Sequence, residues 1–371
     1  MCAGAAVALV TTACGDGSTT TTAGSAPADV SSVCPDPSGA LVAKAKKEGT
    51  VVMSGPPTDT VRQQLPKAFE QTYGIGLDYI GTSGKDNAAR LQSERQAGIY
   101  SQDVFLGGAD TMANTYHAQN WIAPLTGVLP ASELDAKGWR GGSVPFVDAD
   151  KKILSISRYV SVPIVINTDQ VKADEITSWK DLLDPKWKGR IATIDPRSPG
   201  GAIYNVGMFQ AADGYGDAFV KQLYKDQKPI LITDSRQGTD DLARGKYPIA
   251  LGLGQLDVDT ASDDGLPVEV VMPDLLQTTS GFGFLAVSDR PPHPEAAKVL
   301  AQWLACPDGN KAWNDAYGSI SARADVKPPA DLPAWQVPQD GVDYFNTNSW
   351  EFLTKGVKDA TDLIKSLIGS N

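Results

Sequence analysis

The chain has 371 residues, long enough on the usual domain-size prior for two domains and for a core that holds without disulfides. It is 42% hydrophobic and 21% charged, as soluble globular chains are, and its formal net charge is −11. That balance argues against a nucleic-acid or anionic-membrane surface, which needs Lys/Arg patches. It leaves an anionic small ligand open, because the field inside a cleft is local.

In chain order, residues 1–13, MCAGAAVALVTTA, are small and apolar. Ala3 to Val10 is too short to span a bilayer and suits the core of a signal peptide. Cys14 follows Thr-Thr-Ala and precedes a Gly/Ser/Thr/Ala tether, read here as 14–40. The arrangement resembles a lipobox, with Cys14 the lipidated first residue of an exported protein anchored to the membrane. Cys34 and Cys306 then remain as an even pair, which permits a disulfide.

From Gly49 the pattern becomes α/β. Thr50–Gly55 reads as a buried strand, Asp59–Tyr73 as a helix with Val61, Leu65, Phe69 and Tyr73 on one side, and Gly76–Thr82 as a second strand. A helix over Lys85–Ala97 and a strand over Asp103–Leu106 follow. Repeated strand–glycine–helix units imply a mostly parallel sheet covered by helices. Small polar residues mark the strand ends, where open α/β sheets take ligands. In this half they are Ser54-Gly55, Ser83-Gly84 and Gly107-Gly108.

Ile153 to Asn167 is a long extended run containing Pro163. Beyond it lies Thr177 to Gly201, TSWKDLLDPKWKGRIATIDPRSPGG. Ser178 suits the cap of a short helix, Trp179 to Leu183, and Asp184-Pro185 stops it. Arg190 to Ile194 is a β-branched strand. Ser198, Gly200 and Gly201 form a turn that opens a helix near Ala202, where bare backbone N–H groups and the helix dipole favour an anion. Further strands are read over Ile230–Thr233, Ile249–Leu253 and Gly281–Val287. Helices are read over Thr239–Arg244, Glu295–Ala305, Pro307–Tyr317 and Phe352–Ile368.

This central stretch resembles the SW, DLLDP, W, KG and DP pattern of bacterial extracellular solute-binding proteins. More narrowly, it is similar to the branch that holds ferric-iron-binding proteins and their relatives for organic ligands. The likeness runs from about Gly49 to Asp325. It implies a two-lobed α/β fold of the type II periplasmic-binding-protein kind, with the ligand between the lobes. Ile153–Asn167 and Val268–Met272 would cross between them. Residues 41–160 plus 274–371 are expected to form lobe 1, and 161–273 lobe 2.

The resemblance implies the capture subunit of an ABC importer, a monomer that closes on a small solute and delivers it to a permease, without a cofactor and without catalysis. Candidate ligand groups are the strand-end residues already named, with Tyr204, Ser235 and Arg236 in the second half and Arg158 on the crossing run. An arginine fork matches carboxylate or phosphate. Iron-binding members carry two adjacent tyrosines after a strand that corresponds to Gly245–Gln255, and here Leu253-Gly254-Gln255 takes their place. Gln255 is therefore the candidate at that position, and an anionic or polar organic solute is expected rather than free ferric ion. Two alternatives stay open: ferric ion held through Tyr204, Tyr247 or a bound carbonate, and a hydrolase or transferase on the same scaffold. The chain offers only His117 and His293 as imidazoles. His117 reads as a packing residue and His293 as a surface one. The run Asp257, Asp259, Asp263 and Asp264 reads as a solvated face.

Overall fold

Gly49, at φ 82°, closes helix α1 (Ala40–Glu48) and turns the chain into strand β1 (Thr50–Gly55). The computed structural model describes residues 34–36, 38–198, 200–330, 332–339 and 341–370. The signal peptide, Cys14 and most of the expected tether lie outside the described residues.

Helix α2 (Asp59–Tyr73) buries Val61, Leu65, Phe69 and Tyr73, four positions on one helical stripe. Gly74 ends it in the left-handed region that glycine adopts without steric cost. β2 (Gly76–Gly81) then lies parallel to β1, with Thr50 opposite Gly76 and Gly55 opposite Gly81. Helix α3 (Gly84–Gln96) leads to β3 (Val104–Gly107), parallel to β1 on its other side. A π-helix, Thr111–His117, and the short β4 (Ile122–Ala123) complete this segment.

The run from Ile153 to Asn167 makes three strands rather than one. β5 (Leu154–Ser155) joins the first sheet, β6 (Tyr159–Val160) a small three-stranded sheet, and β7 (Ile164–Asn167) a second large sheet. That second sheet adds β8 (Ile191–Ile194), β9 (Ile230–Ile232), β10 (Ile249–Leu251) and β11 (Val268–Val271), in the order β11-β7-β10-β8-β9. Its helices are α4 (Gly201–Ala211), α5 (Gly216–Lys221), α6 (Ser235–Ala243) and α7 (Gln255–Asp263). The chain returns through β12 (Gln277–Thr279), antiparallel to β6, and β13 (Phe284–Ser288), antiparallel to β3. α8 (Pro294–Ala305) and α9 (Pro307–Tyr317) cover the first sheet. β14 (Phe345–Asn346) pairs with β12, and α10 (Val357–Ile368) ends the fold.

Three features correct the sequence reading. Each large sheet is mixed rather than mostly parallel: β2-β1-β3 and β10-β8-β9 pair in parallel, but β13 in the first sheet and β7 in the second run against their neighbours, and β5 pairs antiparallel with β13. The reversed strands are those that connect the two sheets, and they arrive from the opposite direction. Val268–Val271 is an edge strand of the second sheet, so the return passes through β12 instead. The last helix, placed by sequence with the first lobe, packs Ala360 and Ile364 into the second core beside Val206 and Phe209.

The first core joins α2 to α8 and α9 through Phe69, Trp303 and Trp313, with the Phe69 and Trp303 rings 5.3 Å apart. Full burial of each such side chain contributes about 1.5–3 kcal/mol or more. Under this core, Arg323 is 2% exposed, pairs with the buried Glu133 and with Asp325, and lies over the Trp139 ring. Burial outweighs the guanidinium and pushes the Glu133 carboxyl up to about 7. A carboxyl raised in the folded state contributes stability that is full at low pH and is lost as pH rises through the folded value. Stability is therefore expected to decline from about pH 4.5 to about pH 7, with Glu133→Gln flattening the slope. Equal slopes for both proteins in denaturant titrations across that range would refute the assignment.

Candidate ligand cleft

Three helices begin at one cavity. α3 starts at Gly84, α4 at Gly201 and α7 at Gln255, and all three residues line a hollow of about 890 Å³ between the first and second sheets. Helix starts carry backbone N–H groups that lack an intrahelical partner. At α3 the Ser83 side chain accepts from Asp86 N at 3.1 Å, so one of these groups is satisfied. Among the described residues, the N-cap positions of α4 and α7, Gly200 and Gly254, supply no capping side chain, and Ser235 Oγ takes only the Gly254 N–H ahead of α7. The first-turn amides beyond these positions and the positive dipole ends suit an anion.

Glycine is needed here for specific reasons. Gly252 follows β10 at φ 72°, and a Cβ on it would sit 2.9 Å from the Ala202 Cβ and 3.1 Å from its backbone nitrogen. This close approach brings the end of β10 onto the first turn of α4. A Cβ on Gly84 would overlap the Thr111 hydroxyl at 2.3 Å.

Lys85 is a cation on the lining, while Asp110 and Asp257 are acids there. Tyr159, Tyr204, Phe282 and Tyr317 form aromatic wall. Burial raises the hydroxyls of Tyr159, Tyr204 and Tyr317, which keeps them protonated and able to donate. The Gln255 amide nitrogen reaches Asp259 at 3.3 Å, and its Oε1 is buried without a hydrogen-bond partner among the described residues, an acceptor open to a ligand donor.

Of the residues singled out by sequence, Ser83, Gly84, Gly108, Gly200, Gly201, Tyr204 and Gln255 line this cavity. Ser54, Gly55 and Gly107 line a small adjoining hollow of about 20 Å³, which shares Ser83, Gly84, Thr111 and Phe282 with the larger one. Four residues lie elsewhere. Arg158 is off the lining: its backbone N–H donates to Ile320 O, and its guanidinium is near Gly141. Successive side chains of extended backbone point to opposite faces, so Tyr159 takes the cavity side that Arg158 was expected to hold. Arg236 is exposed at the start of α6, where Asp234 already caps the helix. Ser198 is exposed. Ser235 acts from behind, its Oγ accepting from Gly254 N at 2.7 Å and shaping the turn into α7.

Tyr247, one of the alternative iron ligands, is buried and donates to Gly238 O at 2.7 Å, away from the lining. His293 is not a free surface residue, since its Nδ1 lies 2.8 Å from the buried Asp103. Of the acidic run read as a solvated face, Asp257, Asp259 and Asp263 lie on α7 and Asp264 ends it. Its Asp259 is partly buried and accepts from Gln336 at 3.0 Å. Lys85, Gly252 and Asp257 were missed as lining residues. For Lys85 the signal was present in Ser83-Gly84-Lys85, at the opening of a helix.

The family model for bacterial extracellular solute-binding protein matches residues 64–339. The chain belongs to this family of bacterial extracellular solute-binding proteins. An uncharacterized protein of Haemophilus influenzae is 25% identical over 287 residues, which is 74% of this chain and 78% of that one. Among solved structures, the Trichodesmium protein IdiA (FutA), in complex with iron and citrate, is 18% identical with a TM-score of 0.66, covering 87% of this chain and all of that one. The periplasmic binding protein AfuA of Actinobacillus pleuropneumoniae, with fructose-6-phosphate bound, is 18% identical with a TM-score of 0.64, covering 86% and 99%. Iron-bound HitA of Pseudomonas aeruginosa is 15% identical with a TM-score of 0.66, covering 86% and 99%. At these identities the likeness establishes the fold. This solute-binding protein is thus a two-lobed α/β protein of the periplasmic-binding kind, and its role is solute capture of the ABC-importer type.

Proposed function

We propose that this solute-binding protein captures a small organic anion, a carboxylate or phosphate ester, by closing its two lobes on it. The observation that carries the reading is the convergence of the α4 and α7 starts with Lys85 on one cavity. Gln255 Oε1 and the acids at the rim suit hydroxyl or other donor groups on the same solute. No His or Cys lies among the described lining residues, and binding without catalysis fits that inventory. In this reading the closed form is favoured only by the ligand's differential affinity for it. A permease takes up the solute from that form, and Cys14 supplies the lipid anchor.

The test is a thermal-shift panel of sugar phosphates, citrate and other organic acids, neutral sugars and ferric ion. An anion at about 100 times its Kd adds about 2.7 kcal/mol to stability. Lys85→Ala should weaken that anion by roughly tenfold, about 1.4 kcal/mol. Stabilisation by neutral sugars alone, or an unchanged anion affinity in Lys85→Ala, would overturn the proposal.

A further inference from the structure

His117 ends the π-helix that begins at the cavity wall, but it is not part of the lining. Its Nε2 is buried and has no hydrogen-bond partner among the described residues. Two carboxylate oxygens face it, Asp148 Oδ2 and Asp150 Oδ2, each at 3.4 Å. That separation is longer than an N–H···O hydrogen bond, whose usual range ends near about 3.2 Å. It matches the edge of a tetrahedron, about 3.4 Å, around an ion whose nitrogen and oxygen ligands lie about 2.0–2.2 Å away. All three donor atoms lie within 4.8 Å of one another.

The surroundings hold these groups in place. Asp148 accepts from Lys152 N and Ile153 N through Oδ1, and from Lys152 N again through Oδ2, so its carboxylate cannot swing away. The Trp350 ring meets the imidazole edge-on at 4.6 Å. The adjacent cations are turned elsewhere: Lys152 Nζ bonds to Asn120 Oδ1, and Lys151 lies over the Phe146 ring. The Asp150 side chain is 61% exposed, which leaves an entry path and room for water as a further ligand.

We propose that His117, Asp148 and Asp150 bind a divalent transition-metal ion, with zinc as the best match to one imidazole and two carboxylates. The ion would pin the π-helix to the 148–150 loop in the first lobe. The site is separate from the cleft and does not rest on the proposed ligand. The competing account is a protonated His117 paired with both carboxylates and no metal.

Tag-free protein, stripped of metal with chelator, is titrated calorimetrically with zinc chloride, and with magnesium and calcium chlorides in parallel. Saturable one-to-one zinc uptake is expected, with little from magnesium or calcium, whose preference is for all-oxygen sites. Asp150→Asn removes an exposed ligand without touching the core and should weaken zinc by at least about tenfold, as should His117→Gln. Cobalt(II) should give a visible absorption band that disappears in Asp150→Asn. Gly201→Val, in the cleft, should leave zinc uptake unchanged. Absence of stoichiometric uptake, or uptake that Asp150→Asn leaves intact, would overturn the metal site in favour of the imidazolium account.

Discussion

Serine at Cys34 or Cys306 is expected to destabilise this solute-binding protein by about 2–5 kcal/mol. The two cysteines are bridged across 272 positions, with their Cα atoms 5.2 Å apart. A cross-link over so long a loop removes much of the unfolded chain's freedom, and the gain grows with the logarithm of loop length. The native side adds to it. Cys306 is fully buried at the junction of α8 and α9, and Cys34 packs on the same core just ahead of α1. The bridge thus ties the start of the described chain to the helices that cover the first sheet. Denaturant titrations with and without reductant check it: reductant should lower the midpoint of the native protein and leave a Cys34→Ser/Cys306→Ser double variant unchanged. A native midpoint that ignores reductant would show that the cross-link contributes nothing to folding.

How far the sequence could be read varies with how local the cause is. α2 was legible to the residue, because Val61, Leu65, Phe69 and Tyr73 repeat at helical spacing and Gly74 closes the helix. The short Trp179–Leu183 helix was legible from Ser178, whose side chain accepts from Lys180 N as a cap. α7 was not, since Gln255–Asp263 carries three aspartates and buries only Val258 and Ala261. Its apolar face is too narrow for periodicity to register. Arg158 was chosen for its charge, but which face of an extended chain turns inward depends on register, and a single position decides it. The home of α10 was hidden for a different reason. Its stripe shows that one side is buried, while only tertiary packing says against which core.

Glycine turns at the strand ends were the most transferable signal, and they allow the cleft to be probed without disturbing the fold. A Cβ on Gly201 would come no closer than 3.7 Å to any neighbour, an ordinary contact with Gly252 O. Alanine there should fold normally, and within a helix it relieves glycine's entropic cost of about 0.5–1 kcal/mol. Valine adds two methyl groups over the first amides of α4, where the anion is proposed to sit. Losing one or two hydrogen bonds to a charged group, at about 1.5–3 kcal/mol each, weakens binding by tenfold to more than a hundredfold. Gly252→Ala separates the two effects. At φ 72° its Cβ meets the backbone of Ala202, so about 1–3 kcal/mol of strain should appear in stability even without ligand. Calorimetric titration of the best anion from the panel, alongside denaturant melts of both variants, distinguishes them. Gly201→Val should keep its midpoint and lose affinity, while Gly252→Ala should lose its midpoint first. If Gly201→Val binds the anion as tightly as the native chain, the α4 amides are not its receptor, and the lobes must hold their solute by some other wall of the cavity.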